Sequence, residues 1–140
     1  MRLSQLMLFF WLLPVQVWAC ECAEESIDES YQSASVVVAA EAVSVSTVSA
    51  ESGPARVQTV EWMVLENWRG PYRKGQRLKT QTHIQCCTCA ANFVGRSVFI
   101  LFLAGREPFA ARACGGAREL KYAIPDIPEL YRLRAAGAAR

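Results

Sequence analysis

The feature that most constrains the fold of this chain is the triplet Cys20-Glu21-Cys22, which directly follows an apolar leader. Residues 6–18 are rich in Leu, Phe, Trp and Val, and the small side chain of Ala19 occupies the processing position. The leader is shorter than the roughly 20 apolar residues of a spanning helix. The pattern predicts a signal peptide over residues 1–19, so that Cys20 becomes the first residue of the exported chain.

Export determines how the cysteines are interpreted. All six lie at or beyond the predicted cut, in a compartment where disulfides form, so their even number predicts a disulfide framework. Residues 20–140 suit one domain, secreted or periplasmic and without a transmembrane helix. The net charge of +2 for the whole chain gives no general case for binding nucleic acid.

Hydrophobic periodicity predicts a mainly β protein. A polar helical turn over residues 26–33 carries Ser26 and Glu29 at the spacing of a capping box, and a terminal helix is expected over residues 127–136. Residues 57–68 alternate so that a central strand, covered on both faces, is expected there. The five predicted strands cover residues 36–48, 57–68, 77–83, 97–104 and 109–114.

Five short strands with helices only near the two ends favour a small Greek-key barrel of the OB-fold type. Periodicity does not separate that barrel from a β-sandwich. A domain of this size gains stability from covalent staples, so the triplet is expected to fasten the chain start to the sheet.

An ordered series of residues resembles the netrin-like module, and within it the short bacterial branch of the tissue inhibitor of metalloproteinases family. The series covers nearly the whole exported chain. It comprises the Cys-x-Cys start, the polar turn, a Val-rich strand, the stretch Glu61-Trp62-Met63-Val64-Leu65-Glu66-Asn67-Trp68-Arg69-Gly70-Pro71, the Gly75 turn, cysteines ahead of Phe93-Val94-Gly95, an apolar strand and Cys114.

The resemblance implies an OB-type barrel whose first segment is held by disulfides from both cysteines of the triplet. By family position, Cys89 corresponds to the partner of Cys20, and Cys114 to the partner of Cys22. Cys86 and Cys87 remain; a bridge between these neighbours would be strained, because their Cα atoms lie only 3.80 Å apart. An alternative pairs Cys20 with Cys87 and closes Cys86 to Cys89.

The resemblance also implies an activity, namely inhibition of an extracellular or envelope zinc metalloprotease. A catalytic zinc keeps one position for water, which the free amine and carbonyl oxygen of Cys20 would displace as a chelate. Glu21 would then enter the specificity pocket, where an unpaired carboxylate is costly. The chain departs from the animal inhibitors in this acid, in having no Pro after Cys22, and in lacking a second cysteine-rich domain.

Three other interpretations stay open. One alternative is a non-inhibitory interaction module of the envelope, in which Cys20 is acylated if the chain is a lipoprotein; acylation would block both the sulfur and the amine of Cys20. A basic and aromatic interaction ridge is a second candidate surface, formed by Trp68, Arg69, Tyr72, Arg73 and Lys74. Four residues of the types that bind zinc lie close together in the sequence, namely His83, Cys86, Cys87 and Cys89, although export favours oxidation of the cysteines.

An enzyme is not expected. The chain has one His and neither a Gly-x-Ser-x-Gly elbow nor a phosphate-cradling glycine loop. We expect no cofactor and no metal held by the protein itself. The identity of the partner and the oligomeric state are not predicted by the sequence.

Overall fold

The first described element is a short capped helix, α1 (Ile27–Ser33). The structure is a computed structural model and describes residues 25–49, 51, 56–84, 93–111 and 114–139. The Ser26 hydroxyl accepts the Glu29 backbone N–H, and the Glu29 carboxylate accepts the Ser26 N–H at 3.0 Å. These hydrogen bonds lower the pKa of Glu29. The predicted capping box is therefore confirmed.

Five strands form an open, antiparallel sheet in the order β3-β2-β1-β4-β5. The first four lie within two residues of the predicted bounds at either end. After β5 the chain forms a short helix α2 (Leu120–Ala123), one 3-10 turn (Ile124–Asp126) and the terminal helix α3 (Ile127–Ala138). The strands are β1 (Val36–Ser49), β2 (Arg56–Arg69), β3 (Arg77–Ile84), β4 (Val98–Leu103) and β5 (Ala117–Glu119).

Strand β1 occupies the middle of the sheet and is buried on both faces over its first five residues. Val36, Val38 and Ala40 enter one core, while Val37 and Ala39 enter a second core on the opposite face. The sequence predicted that β2 would be the central strand. In the structure β1 is the central strand, and β2 lies beside it. The long β-branched run of β1 fits this place because side chains of successive residues point to opposite faces.

The first core is organised around Trp62 of β2, which is fully buried. Its indole Nε1–H donates to the Thr80 hydroxyl of β3 at 2.8 Å, so the polar atom of this large ring is satisfied. Phe93 and Phe99 meet the indole edge to face, with ring centroids 4.9 and 5.9 Å away. The rings fix how β2, β3 and β4 pack.

The second core lies between the sheet and the helices. Leu130 of α3 is fully buried there, together with Tyr31 of α1 and Ile100 of β4. The Tyr31 hydroxyl donates to the Trp68 carbonyl oxygen at 2.9 Å, which joins α1 to the end of β2. The helices therefore cover one face of the sheet, as the predicted terminal helix requires.

The segment after β4 differs from the prediction. A fifth strand was expected over residues 109–114, but Phe109 makes only an isolated parallel bridge to Thr80, and the fifth strand of the sheet begins at Ala117. The Gln81 N–H donates to the Phe109 carbonyl oxygen, and the Thr82 hydroxyl donates to that of Ala111. This stretch thus contacts the free edge of β3 without forming a ladder.

Replacing Thr80 with Val tests the buried hydrogen bond of the first core. Val matches the shape of Thr but leaves the Trp62 indole N–H without an acceptor, so we expect the free energy of unfolding to fall by about 1–3 kcal/mol in urea titrations. Thr47→Val, at an exposed position of β1, is the matched control and should change it by less than about 0.5 kcal/mol. Equal effects for the two variants would contradict the assignment.

Candidate functional site

Most of the cysteine site predicted from the sequence lies outside the described residues. This holds for Cys20, Glu21 and Cys22 and for the cluster Cys86, Cys87 and Cys89. Cys114 is described and takes part in a disulfide. No disulfide has both of its cysteines among the described residues, so the individual pairings stay predictions.

Glu25 is the first described residue of the chain, and it accepts hydrogen bonds from two different elements of the domain. The Arg118 guanidinium of β5 donates through Nη2 to the Glu25 carbonyl oxygen at 2.7 Å. The Ser30 hydroxyl of α1 donates to the Glu25 carboxylate at 3.3 Å. The chain therefore enters the domain along β5, at a position fixed by both main-chain and side-chain contacts. We call this place the entry anchor, formed by Glu25, Ser30, Gly115 and Arg118.

Gly115 lets Glu25 approach the turn that follows Cys114. Its φ of +72° lies in the left-handed region, and a Cβ built on it would stand 2.2 Å from Glu25 Oε2. Glycine is favoured here for two reasons, because it tolerates this backbone conformation and because it leaves room for the carboxylate. The residue next to the disulfide-bonded Cys114 is thus in direct contact with the entering chain.

Arg118 links the entry anchor to the rest of the fold. Besides Glu25, its guanidinium donates to the Asp126 carboxylate at 3.2 Å and lies over the Phe102 ring, 5.9 Å from the centroid. The side chains of Arg118 and Asp126 are each less than a third exposed, so solvent screens this ion pair less than a surface pair. The planar fork of Arg suits a site that must hold several acceptors at once.

The sequence did not single out the entry anchor. None of the predictions from the sequence concerned Gly115, Gly116 or Arg118. A glycine pair directly after a cysteine is a signal for close backbone approach, but the approaching segment is distant in the sequence. Two large apolar side chains that follow β5, Tyr122 and Ile124, are 76% and 58% exposed and were not predicted as surface residues either.

The predicted ridge does not present its aromatic residues together. Trp68 is 4% exposed and belongs to the second core, and Tyr72 is half-buried against the first core. Exposed basic side chains remain at Arg69, Arg73 and Lys74. The Arg69 guanidinium donates to the Tyr31 carbonyl oxygen at 2.7 Å and lies over the Tyr31 ring. The geometry agrees with core packing for these aromatic rings.

Neither a metal-binding cluster nor a membrane-spanning helix occurs within the described part of the chain. His83 is exposed on β3, and no group of three or more His, Cys, Asp or Glu side chains gathers there in a way that would hold a metal ion. None of the described helices is both long and apolar enough to cross a membrane.

The pKa of Tyr72 reports how closely the turn that carries the predicted ridge packs against its neighbours. Burial raises its pKa to about 12 from an ordinary value of 10.0, and the hydrogen bond to Glu107 acts in the same direction. The pKa of Tyr72 is higher in the folded protein than in the unfolded chain. The contribution of the protonated Tyr72 to the free energy of unfolding is therefore complete below pH 10 and is lost as the pH rises towards 12.

We therefore expect the tyrosinate absorbance that disappears in Tyr72→Phe to have its midpoint near pH 12. Glu107→Gln should move that midpoint down, since the variant removes the negative charge beside the phenol. A midpoint for Tyr72 close to 10 in the folded protein would contradict the described contact.

Gly115→Ala tests the entry anchor, and Gly75→Ala is its matched control. Both glycines have positive φ values, +72° and +85°, but an added Cβ at Gly75 meets nothing within 4 Å. The control should lose about 1–2 kcal/mol of unfolding free energy from backbone strain alone, and Gly115→Ala should lose more. In an Glu25→Ala background the excess should vanish, because the clashing carboxylate is gone. Equal losses for both glycines in the native background would show that the Glu25 carboxylate moves aside and that its contacts at this position contribute nothing measurable.

The comparisons with known proteins leave the family open. No family model matches the chain, and no curated protein matches it. The resemblance to the netrin-like module therefore remains a prediction carried by the residues quoted for it. The observations that bear on function are the entry anchor, the disulfide at Cys114 and the path of the segment after β4.

Proposed function

We propose that this chain is an exported protein-binding module that delivers its processed amino terminus, Cys20, to the zinc of an extracellular or envelope metalloprotease. The observation that supports this most is the entry anchor. It holds the start of the described chain against the turn after a disulfide-bonded cysteine, Cys114. A terminus that acts as a rigid ligand needs such a support.

The proposed bridge from Cys22 to Cys114 is compatible with the anchor. Cys22 precedes Glu25 by three residues, and an extended chain covers at most about 3.6 Å per residue. The contact between Glu25 and Gly115 is therefore compatible with a bridge between Cys22 and Cys114. A second proposed bridge, from Cys20 to Cys89, would fix the terminal residue itself and leave Cys86 and Cys87 to each other. The alternative, Cys20 to Cys87 with Cys86 to Cys89, would fix Cys20 as well.

The proposed fold is a closed OB-type barrel. Support comes from the chain after β4, which contacts both free edges of the other four strands. Phe109 bridges to β3 in parallel, and residues Ala117–Glu119 pair antiparallel with β4. One segment that joins the first and last of four strands in this way is the connection that closes a small Greek-key barrel.

The mechanism of the proposed inhibitor follows from zinc chemistry. A catalytic zinc has three protein ligands and one open position. An α-amino group has an ordinary pKa of about 7.7–8.0, so zinc readily captures its neutral form, and the carbonyl oxygen of Cys20 completes a five-membered chelate. The water that would attack the substrate is displaced. Anchoring the terminus beforehand lowers the ordering cost of binding.

Glu21 narrows the class of target. A carboxylate that enters a pocket beside the zinc must meet a cation or hydrogen-bond donors, because an unpaired buried charge is costly. The proposed target is therefore a metalloprotease whose pocket next to the zinc is basic or rich in donors. Proteases with a purely apolar pocket should be inhibited weakly.

The decisive experiment compares two amino termini. The chain is expressed with its own leader, the exported terminus is identified by mass spectrometry, and both the native product and a variant with one Ala added before Cys20 are assayed against a panel of zinc proteases. We expect the native form to inhibit and the extended form to lose about 100-fold in affinity, about 2.7 kcal/mol. The control, one Ala added after Arg140, should inhibit as the native form does.

The outcomes separate the proposal from its alternatives. Equal inhibition by the native and extended termini would exclude chelation by the Cys20 amine. Retention of residues 1–19, acylation of Cys20, or a free Cys20 thiol in the oxidised protein would each exclude the mechanism. Inactivity of the native form against proteases with basic, donor-rich pockets would favour a non-inhibitory interaction module of the envelope.

A further inference from the structure

A cavity of about 630 Å³ lies where α1, the end of β2 and the last turns of α3 meet. Its lining includes Tyr31, Trp68, Arg69, Leu133, Arg134 and Gly137. Pockets that bury small organic molecules have volumes of about 300–1,000 Å³, so this one is large enough for such a ligand. The cavity is separate from the entry anchor and shares no residue with it.

The charge of the cavity comes from two arginines. Arg69 donates through Nη1 to the Tyr31 carbonyl oxygen at 2.7 Å and forms no ion pair with any acid among the described residues. Arg134 uses Nη1 for both the Glu66 carboxylate, at 3.2 Å, and the Asn67 carbonyl oxygen, at 3.1 Å. A guanidinium has five N–H donors, so both arginines keep further donors for a ligand.

Two aromatic rings of the second core, Tyr31 and Trp68, border the cavity and are held in place. The Tyr31 ring is fixed by its hydroxyl, which donates to the Trp68 carbonyl oxygen, and Arg69 stacks over it at 5.4 Å from the centroid. Trp68 packs edge to face on Tyr131, whose other contact is the Arg134 guanidinium at 4.8 Å. Aromatic rings that carry cations in this way combine apolar area with positive charge.

Trp68 adds a second, independent observation. Its side chain is 4% exposed, and its indole Nε1–H is buried without an acceptor among the described residues. Buried polar groups in folded proteins are nearly always hydrogen-bonded. Because Trp68 also lines the cationic cavity, the signal of this unpaired N–H is a suitable probe for a ligand bound there.

We propose that this cavity binds a small organic anion, namely a carboxylate joined to a flat apolar body. Arg69 and Arg134 hold the carboxylate, and Leu133 together with the accessible parts of Tyr31 and Trp68 contacts the apolar body. The arginines select an anion over a neutral analogue because bidentate guanidinium–carboxylate bonds are strong and geometrically specific. The proposal is independent of zinc protease inhibition.

The test uses indole-3-acetate and its neutral analogue indole-3-acetamide as probes of the whole exported chain. Binding is followed by the NMR signal of the Trp68 indole Nε1–H and by calorimetry. We expect saturable binding of the acid with a shift of that signal, binding of the amide at least 10-fold weaker, and weaker binding of the acid at high salt. Equal affinity for acid and amide would overturn the proposal.

Two variants and a control locate the site. The double variant Arg69→Gln and Arg134→Gln should weaken binding of the acid at least 10-fold. Gly137→Leu fills the cavity from α3, at a position where an added Cβ meets nothing within 4 Å, and should abolish binding while keeping the fold. Arg132→Gln removes a cation from the same helix that lies outside the cavity lining and pairs with Glu129, so binding should not change. Undiminished binding by Gly137→Leu would place the ligand elsewhere.

Discussion

The burial of β1 on both faces is the constraint on which the rest of the structure depends. Because its successive side chains enter two different cores, a slip of one residue would exchange the two sets and disrupt both. Val37 belongs to the core beneath the helices and Val38 to the core around Trp62. Register shifts between β1 and β2, one of them at Ala42 and Ser44, let the long pair of strands bend while this alternation is kept. Strands β2 and β4 pair directly with the two edges of β1, and β3 and β5 are placed in turn by their pairing with β2 and β4.

The position of the entry anchor follows from this arrangement of strands. Arg118 lies in β5, which pairs with β4 at Ile100, and β4 pairs in turn with β1 at Ala39. The guanidinium that binds Glu25 is therefore part of the sheet, not of a loop. Sites built on strands are held more precisely than sites on loops, so Arg118 holds the Glu25 carbonyl oxygen in a defined place. The geometry thus supports the proposed function through the fold and not through a sequence motif alone.

Much of the fold could be predicted because its signals are local. Ser26 and Glu29 specify the start of α1, and alternation specifies β3, where Thr80 and Thr82 are buried as expected. The central place of β1 was missed because Val36 and its neighbours form a run that suits any buried strand, and only pairing decides which strand lies in the middle. The entry anchor was missed for a similar reason. Gly115 and Arg118 acquire their role from Glu25, about ninety residues earlier, and no local pattern encodes that contact.

The bond between Arg118 and Glu25 reaches a main-chain oxygen, and this has a practical consequence for engineering. A carbonyl acceptor is supplied by every residue type, so a substitution at position 25 removes the carboxylate that contacts Ser30 and Gly115 but keeps the acceptor for Arg118. A library at position 25 would therefore vary the side-chain part of the entry anchor while its main-chain part is retained.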